Sequence, residues 1–139
     1  MGESGDFEDL SRREREVMYV VHRLGEVTAE SLQREIGEGF SYSGARRYLS
    51  MLHDQGLLLM RKDGNRYCYR PVQSTREVGL GLLRKALQHF FNGSATLGMA
   101  SLLREEKPED YERELAKIER MLREDAAKRD PHPDPDHGP

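Results

Sequence analysis

The chain has 139 residues, 36% of them hydrophobic and 34% charged, with a formal net charge of −3 and a pI near 6.0. That is enough for one modest domain and an accessory segment whose small core calls for a partner chain, and it excludes the overall basic balance of a generic nucleic-acid coat. The single cysteine, Cys68, excludes an internal disulfide and any thiol pair at metal-ligand spacing.

Residues 1 to 9 are small and acidic, with Phe7 as the one anchor, and read as a loose arm. They lack the basic-then-apolar pattern of a leader, and Asp6 stands where myristoylation of Gly2 needs a serine or threonine. No apolar stretch approaches the roughly 18 residues of a membrane span, so the expectation is a protein of the reducing cytoplasm, neither secreted nor embedded. Ser11-Arg12-Arg13-Glu14 has the capping-box form and opens a helix to about Leu24, with Val17, Val21 and Leu24 on its inward stripe and Gly25 as its stop. Val27-Thr28 starts a short strand and caps a second helix, Ala29 to Ile36, whose Leu32 and Ile36 point inward.

After the Gly37-Glu38-Gly39 turn, a third helix starts near Ser41. At about 100° per residue, Ala45, Tyr48, Leu49 and Leu52 share its inward side. Ser43, Arg46, Arg47 and Ser50 project oppositely, two guanidinium groups flanked by small hydroxyls with no carboxylate, which suits a DNA groove. Gln55-Gly56 ends the helix. Leu57, Leu59 and Arg61 then alternate with Leu58, Met60 and Lys62, Asp63-Gly64-Asn65 turns, and Arg66 to Arg70 returns with Pro71 closing the pairing. The hairpin tip carries Arg61, Lys62 and Arg66. Between Ser41 and Val72 there are six basic residues against Asp54 and Asp63, so attraction to phosphate is local rather than global. Helix, helix, turn, helix and basic hairpin is the winged helix-turn-helix order, in which the third helix reads bases and the wing grips phosphates.

Ser74-Thr75-Arg76-Glu77 is another capping box, opening a fourth helix to roughly Phe91 with Leu83, Leu87, Phe90 and Phe91 as its apolar contacts. Asn92-Gly93-Ser94 breaks it and caps a fifth, Ala95 to Arg104, and Lys107-Pro108 starts a sixth. There Tyr111, Leu115, Ile118 and Leu122 form one narrow stripe on a charged helix, whose simplest cover is a second copy of the same segment. From Asp130 the chain is proline-rich and reads as disordered.

Leu10-Ser-Arg-Arg-Glu-Arg-Glu-Val-Met18, the Leu52-x-x-Gln55-Gly56-Leu57 helix end, Arg66-Tyr67-x-Tyr69-Arg70-Pro71 and Phe90-Phe91-Asn92-Gly93-Ser94 occur in an order that resembles the penicillinase-repressor family, the bacterial BlaI/MecI/CopY regulators. The resemblance runs from Leu10 to about Leu122. Gly44 departs from the threonine usual there, and Arg47 from a smaller residue, which bears on the operator more than on the fold. The resemblance implies a dimeric repressor on an inverted repeat over the promoter of a β-lactam-resistance or other stress operon. It also implies release by a signal-activated protease that cuts within Ser94 to Arg104. Members that respond to β-lactams are cut at an Asn-Phe bond, where this chain has Ser101-Leu102. The copper-responsive members carry a C-terminal cysteine cluster that is missing here.

Plainer readings compete at several positions. Tyr67 and Tyr69 fit a small hairpin core better than base stacking, and His22, His53 and His89 fit surface or boundary positions. His132, Asp134, Asp136 and His137 would have to order a proline-rich tail to hold a metal, and Cys68 reads as an inert thiol. No catalytic set, phosphate loop or cofactor motif stands out, so neither enzyme activity nor a cofactor or metal is expected. The expected architecture is mainly α with a small β-hairpin: a winged helix over residues 7 to 72, a helical dimerisation segment over 74 to 127 and a disordered tail over 128 to 139. The expected partners are double-stranded DNA, a second copy of the chain and the protease. The alternative is a winged helix that binds protein instead of DNA.

Overall fold

A computed structural model describes residues 7–129. The acidic start with Asp6, and the tail with His132, Asp134, Asp136 and His137, lie outside the described residues.

A short 3₁₀ turn at Phe7–Asp9 leads into α1 (Arg12–Leu24), α2 (Ala29–Ile36) and α3 (Tyr42–Asp54), then β1 (Leu58–Asp63), β2 (Arg66–Pro71), α4 (Thr75–Phe90), α5 (Ala95–Arg104) and α6 (Pro108–Arg129). The architecture is a winged helix-turn-helix followed by helices. The helix starts are set by local chemistry. Ser11 accepts from the Glu14 amide at 3.1 Å while its own amide donates to the Glu14 carboxylate at 2.8 Å. Thr28 and Ser31 make the same reciprocal pair at the head of α2, and the Ser41 hydroxyl accepts from Gly44 at 2.9 Å at the head of α3. Gly25 ends α1 with a positive φ of 86°, a conformation open to glycine.

The chain divides between Leu83 and Arg84 into two compact units. In the first, α1, α2 and α3 enclose a core of Val17, Val21, Leu32, Ala45, Leu49 and Leu52, joined by Leu57, Leu58 and Tyr69 from the hairpin. The expected inward residues of α3 are in place, with Tyr48 half-buried at the edge and stacked on Phe40. Leu24 is 44% exposed, unlike Val17 and Val21 on the same expected stripe, because it is the last residue before the chain turns away at Gly25. Met18 and Val20 are buried instead and widen the apolar face of α1. The hairpin departs from strict alternation in the same way. Leu57 precedes the strand and is buried together with Leu58, while Leu59 and Met60 are exposed, since the core ends where the hairpin rises from it.

β1 and β2 pair antiparallel with Leu58 opposite Pro71 and Asp63 opposite Arg66, leaving Gly64 and Asn65 as the two-residue turn. Val27 adds a third, one-residue rung. Its amide donates to the Tyr69 carbonyl at 2.9 Å and its carbonyl accepts from the Tyr69 amide at 2.8 Å, tying the α1–α2 link to the returning strand.

In the second unit α4 ends at Asn92 and Gly93, both at positive φ, with the Gly93 amide bonded to the Leu87 carbonyl at 2.8 Å. The Ser94 hydroxyl then caps α5 by accepting from Leu97 at 3.0 Å. Gly98 is buried where α5 meets Leu87 and Phe91, and a Cβ there would strike the Leu87 side chain. α5 also packs against α6. No described helix is long and apolar enough to cross a membrane.

Candidate nucleic-acid interface

α3, the hairpin and the start of α2 line an open groove in the first unit, the α2 start bringing in Glu30, the one carboxylate among the lining residues. Ser43, Arg46, Arg47 and Ser50 line it from α3, and Asn65 and Arg66 close it from the wing tip. These four α3 residues are exposed because the period that buries Ala45, Leu49 and Leu52 turns their side chains outward. Among the described residues Arg46, Arg47, Lys62 and Arg66 have no carboxylate partner. Arg47 instead lies over the Tyr48 ring at 5.4 Å, and Lys62 over the Tyr67 ring at 5.8 Å. Unpaired cations beside small hydroxyls form a surface that accepts phosphate oxygens and the acceptor edge of guanine.

Arg61 is placed differently from the other wing cations. Opposed residues of an antiparallel pair share a face, so Arg61 goes with Cys68, while Met60, Tyr67 and Tyr69 face the groove. On the far face the Arg61 guanidinium donates to both oxygens of Glu26, Nε at 2.9 Å and Nη2 at 2.8 Å. That hydrogen bond, together with the charges of Arg61 and Arg70 and against a smaller desolvation effect, holds the Glu26 carboxyl below the usual carboxylate range, and the guanidinium is held still more firmly protonated. Lys62 is exposed beside the groove without lining it.

The groove also takes in Tyr42, Thr28, Met60 and His53, to which no charge or spacing pattern drew attention. Tyr69 closes its inner end, buried and edge-on to His53, with its hydroxyl pushed up chiefly by burial; the neighbouring Tyr67 is exposed. The core reading of the two tyrosines therefore fits Tyr69 and not Tyr67. His22 is half-buried, its Nδ1 2.8 Å from the Thr75 hydroxyl and its pKa lowered by burial.

On α6, Tyr111, Leu115 and Leu122 are exposed and Ile118 half-buried, all on one stripe. The described residues hold no cluster of three or more His, Cys, Asp or Glu able to grip a metal, and Cys68 is a buried free thiol.

A family model described as penicillinase repressor matches residues 10–124. No curated protein matches the chain. A solved structure described as the complex structure of hsRosR-S1 is similar in fold, with a TM-score of 0.51 at 17% identity over 89% of this chain and 98% of that one.

Proposed function

The chain belongs to the penicillinase repressor family of winged-helix DNA-binding transcriptional repressors, which are not enzymes, and on that premise we propose that it represses as a cytoplasmic homodimer on an inverted-repeat operator. The observation that carries the reading is the groove of Ser43, Arg46, Arg47, Ser50 and Arg66, whose cations lack carboxylate partners among the described residues. In this reading Arg46 and Arg47 present donors to base edges, Ser43 and Ser50 fix the helix on the backbone, and Lys62 and Arg66 hold phosphates from the wing. The reading head comprises residues 7 to 72. The dimerisation segment, residues 74 to 127, supplies Tyr111, Leu115, Ile118 and Leu122 to a seam with the same stripe of a second copy.

Two winged helices on one duplex reinforce each other through effective concentration. A cut in α5, between the reading head and the α6 seam along the chain, would therefore lower operator affinity by about 10² to 10⁴ without touching a base contact. A signal-activated protease acting near Ser101-Leu102 would release the operator by this route. Leu102 is 68% exposed there.

Salt titration of duplex binding tests the reading. A repressor loses affinity steeply as salt rises, whereas a winged helix that binds protein has no appreciable duplex affinity. Arg47→Ala should cost about 1 to 3 kcal/mol of discrimination between operator and mismatched duplex, and Lys62→Ala should weaken all duplexes alike and reduce the salt slope by about one. Equal, salt-independent losses from both would remove the assignment.

A further inference from the structure

Arg61 lies in the most basic stretch of the chain, yet its guanidinium is occupied on both donor edges facing Glu26, from the α1–α2 link. The two partners are 35 positions apart, so no local helix or turn pattern accounts for the pair. Glu26 is the neighbour of Val27, whose two backbone bonds anchor the returning strand through Tyr69. β1 is the outer strand of the hairpin and pairs with β2 alone. The Glu26 side chain thus spans β2 and grips the outer strand on the face turned away from the groove. Bidentate geometry fixes the orientation of both groups as well as their separation.

We infer that Glu26 and Arg61 form a strut that sets the angle of the wing against α3, and that Arg61 acts as a positioning residue instead of contacting phosphate. The strut holds the tip so that Lys62 and Arg66 stand at a fixed distance from Arg46 and Arg47. Placement on the far face, opposite buried Cys68, keeps the Arg61 charge out of the groove. The inference rests on the DNA-binding reading for its consequence, though not for the strut itself.

Two measurements on the full chain separate those levels. The first is amide hydrogen exchange in the DNA-free protein. Glu26→Gln and Arg61→Ala should each speed exchange across Arg61 to Arg66 to the same degree, the double variant should add nothing further, and the reversed pair Glu26→Arg with Arg61→Glu should restore slow exchange. Unchanged exchange in both single variants overturns the strut whatever the protein binds. The second is binding to mixed-sequence duplex DNA over a range of salt. Arg61→Ala should lower affinity about two- to fivefold with the salt slope unchanged, and the reversed pair should recover it. A slope reduced by about one in Arg61→Ala, or a reversed pair that binds more weakly than Arg61→Ala, makes Arg61 a phosphate contact and overturns the inference. If the unaltered chain has no salt-dependent duplex affinity, the DNA-binding reading fails, and the exchange result still decides the strut.

Discussion

In the first unit Val17, Val21, Leu32, Leu49 and Leu52 are each 0% exposed, whereas in the second Gly98 is the one buried residue among those described and Phe90, Leu102, Met121 and Leu122 stand between 63% and 80% exposed. Both are built of capped, amphipathic helices, so local helix chemistry does not separate them. The difference lies in what each helix meets. α1, α2 and α3 turn their stripes toward a common centre and the hairpin base covers what remains, giving a core that closes within one chain. The stripes of the second unit have no such centre, and a charged helix with one apolar seam is stable when another seam covers it. A closed core in the first unit and open apolar stripes in the second fit the proposal that grip on DNA is controlled through the pairing of two copies.

The largest effect is expected at the proposed α6 seam. Leu115→Asp together with Ile118→Asp should yield monomers with an intact winged helix and an operator affinity lower by about 10² to 10⁴. Sedimentation showing an unchanged dimer would place the seam elsewhere. Next in size, Leu49→Ala should destabilise the first unit by about 2 to 5 kcal/mol in denaturant unfolding, because a fully buried leucine leaves a cavity that packed helices cannot close. Leu122→Ala in the monomeric variant, at a position 64% exposed, should cost about 0.5 kcal/mol or less. Similar costs at the two positions would show that the second unit has a core of its own. Gly98→Val tests the one place where that unit is tightly packed. It should force Leu87 aside and lower helicity and dimer affinity, by about 1 to 3 kcal/mol, while leaving the first unit's unfolding midpoint unchanged.

The smallest expected effect concerns pH. Burial lowers the His22 pKa from its ordinary 6.5, so the unfolded chain takes up this proton first as acid is added. Stability of the first unit should therefore be unaffected by His22 above about 6.5, decline as pH falls below that value, and level off beneath the lower folded pKa. Glu26 acts in a separate range. Its lowered pKa makes its contribution complete above 4.5 and lost as pH falls through the folded value. In His22→Gln the upper decline should vanish and the lower one persist; a decline that survives unchanged would assign it to another group.

What the sequence made legible follows the range of the interactions concerned. Ser11, Thr28 and Ser41 marked helix starts, and Gly25 a stop, because caps act within four residues of themselves. The outward set Ser43, Arg46, Arg47 and Ser50 was readable because a helix repeats its geometry. The wing was harder. Alternation implied that Leu59 would resemble Leu57, but burial there depends on how far the hairpin rises from the core. Three contacts had no local signature at all: Glu26 with Arg61, Val27 with Tyr69, and His22 with Thr75. Each joins segments brought together by the fold itself. The charge count that marked Arg61, Lys62 and Arg66 as one basic tip could not reveal that Arg61 faces away from Lys62 and is held by Glu26.

The rung between Val27 and Tyr69 also bears on how the molecule comes to be folded. It seals a ring of chain holding α2, α3, β1, the wing turn and β2 as far as Tyr69, so the parts that would touch DNA all lie inside one closed loop. Closing a ring of that size forfeits chain entropy before any of its contacts are made, and such closures belong late on a folding route. The α2–α3 pair and the hairpin, whose contacts are near in sequence, can form and dissolve ahead of it. Substitutions at the rung should then act mainly on the rate of unfolding, and those within α3 on the rate of folding.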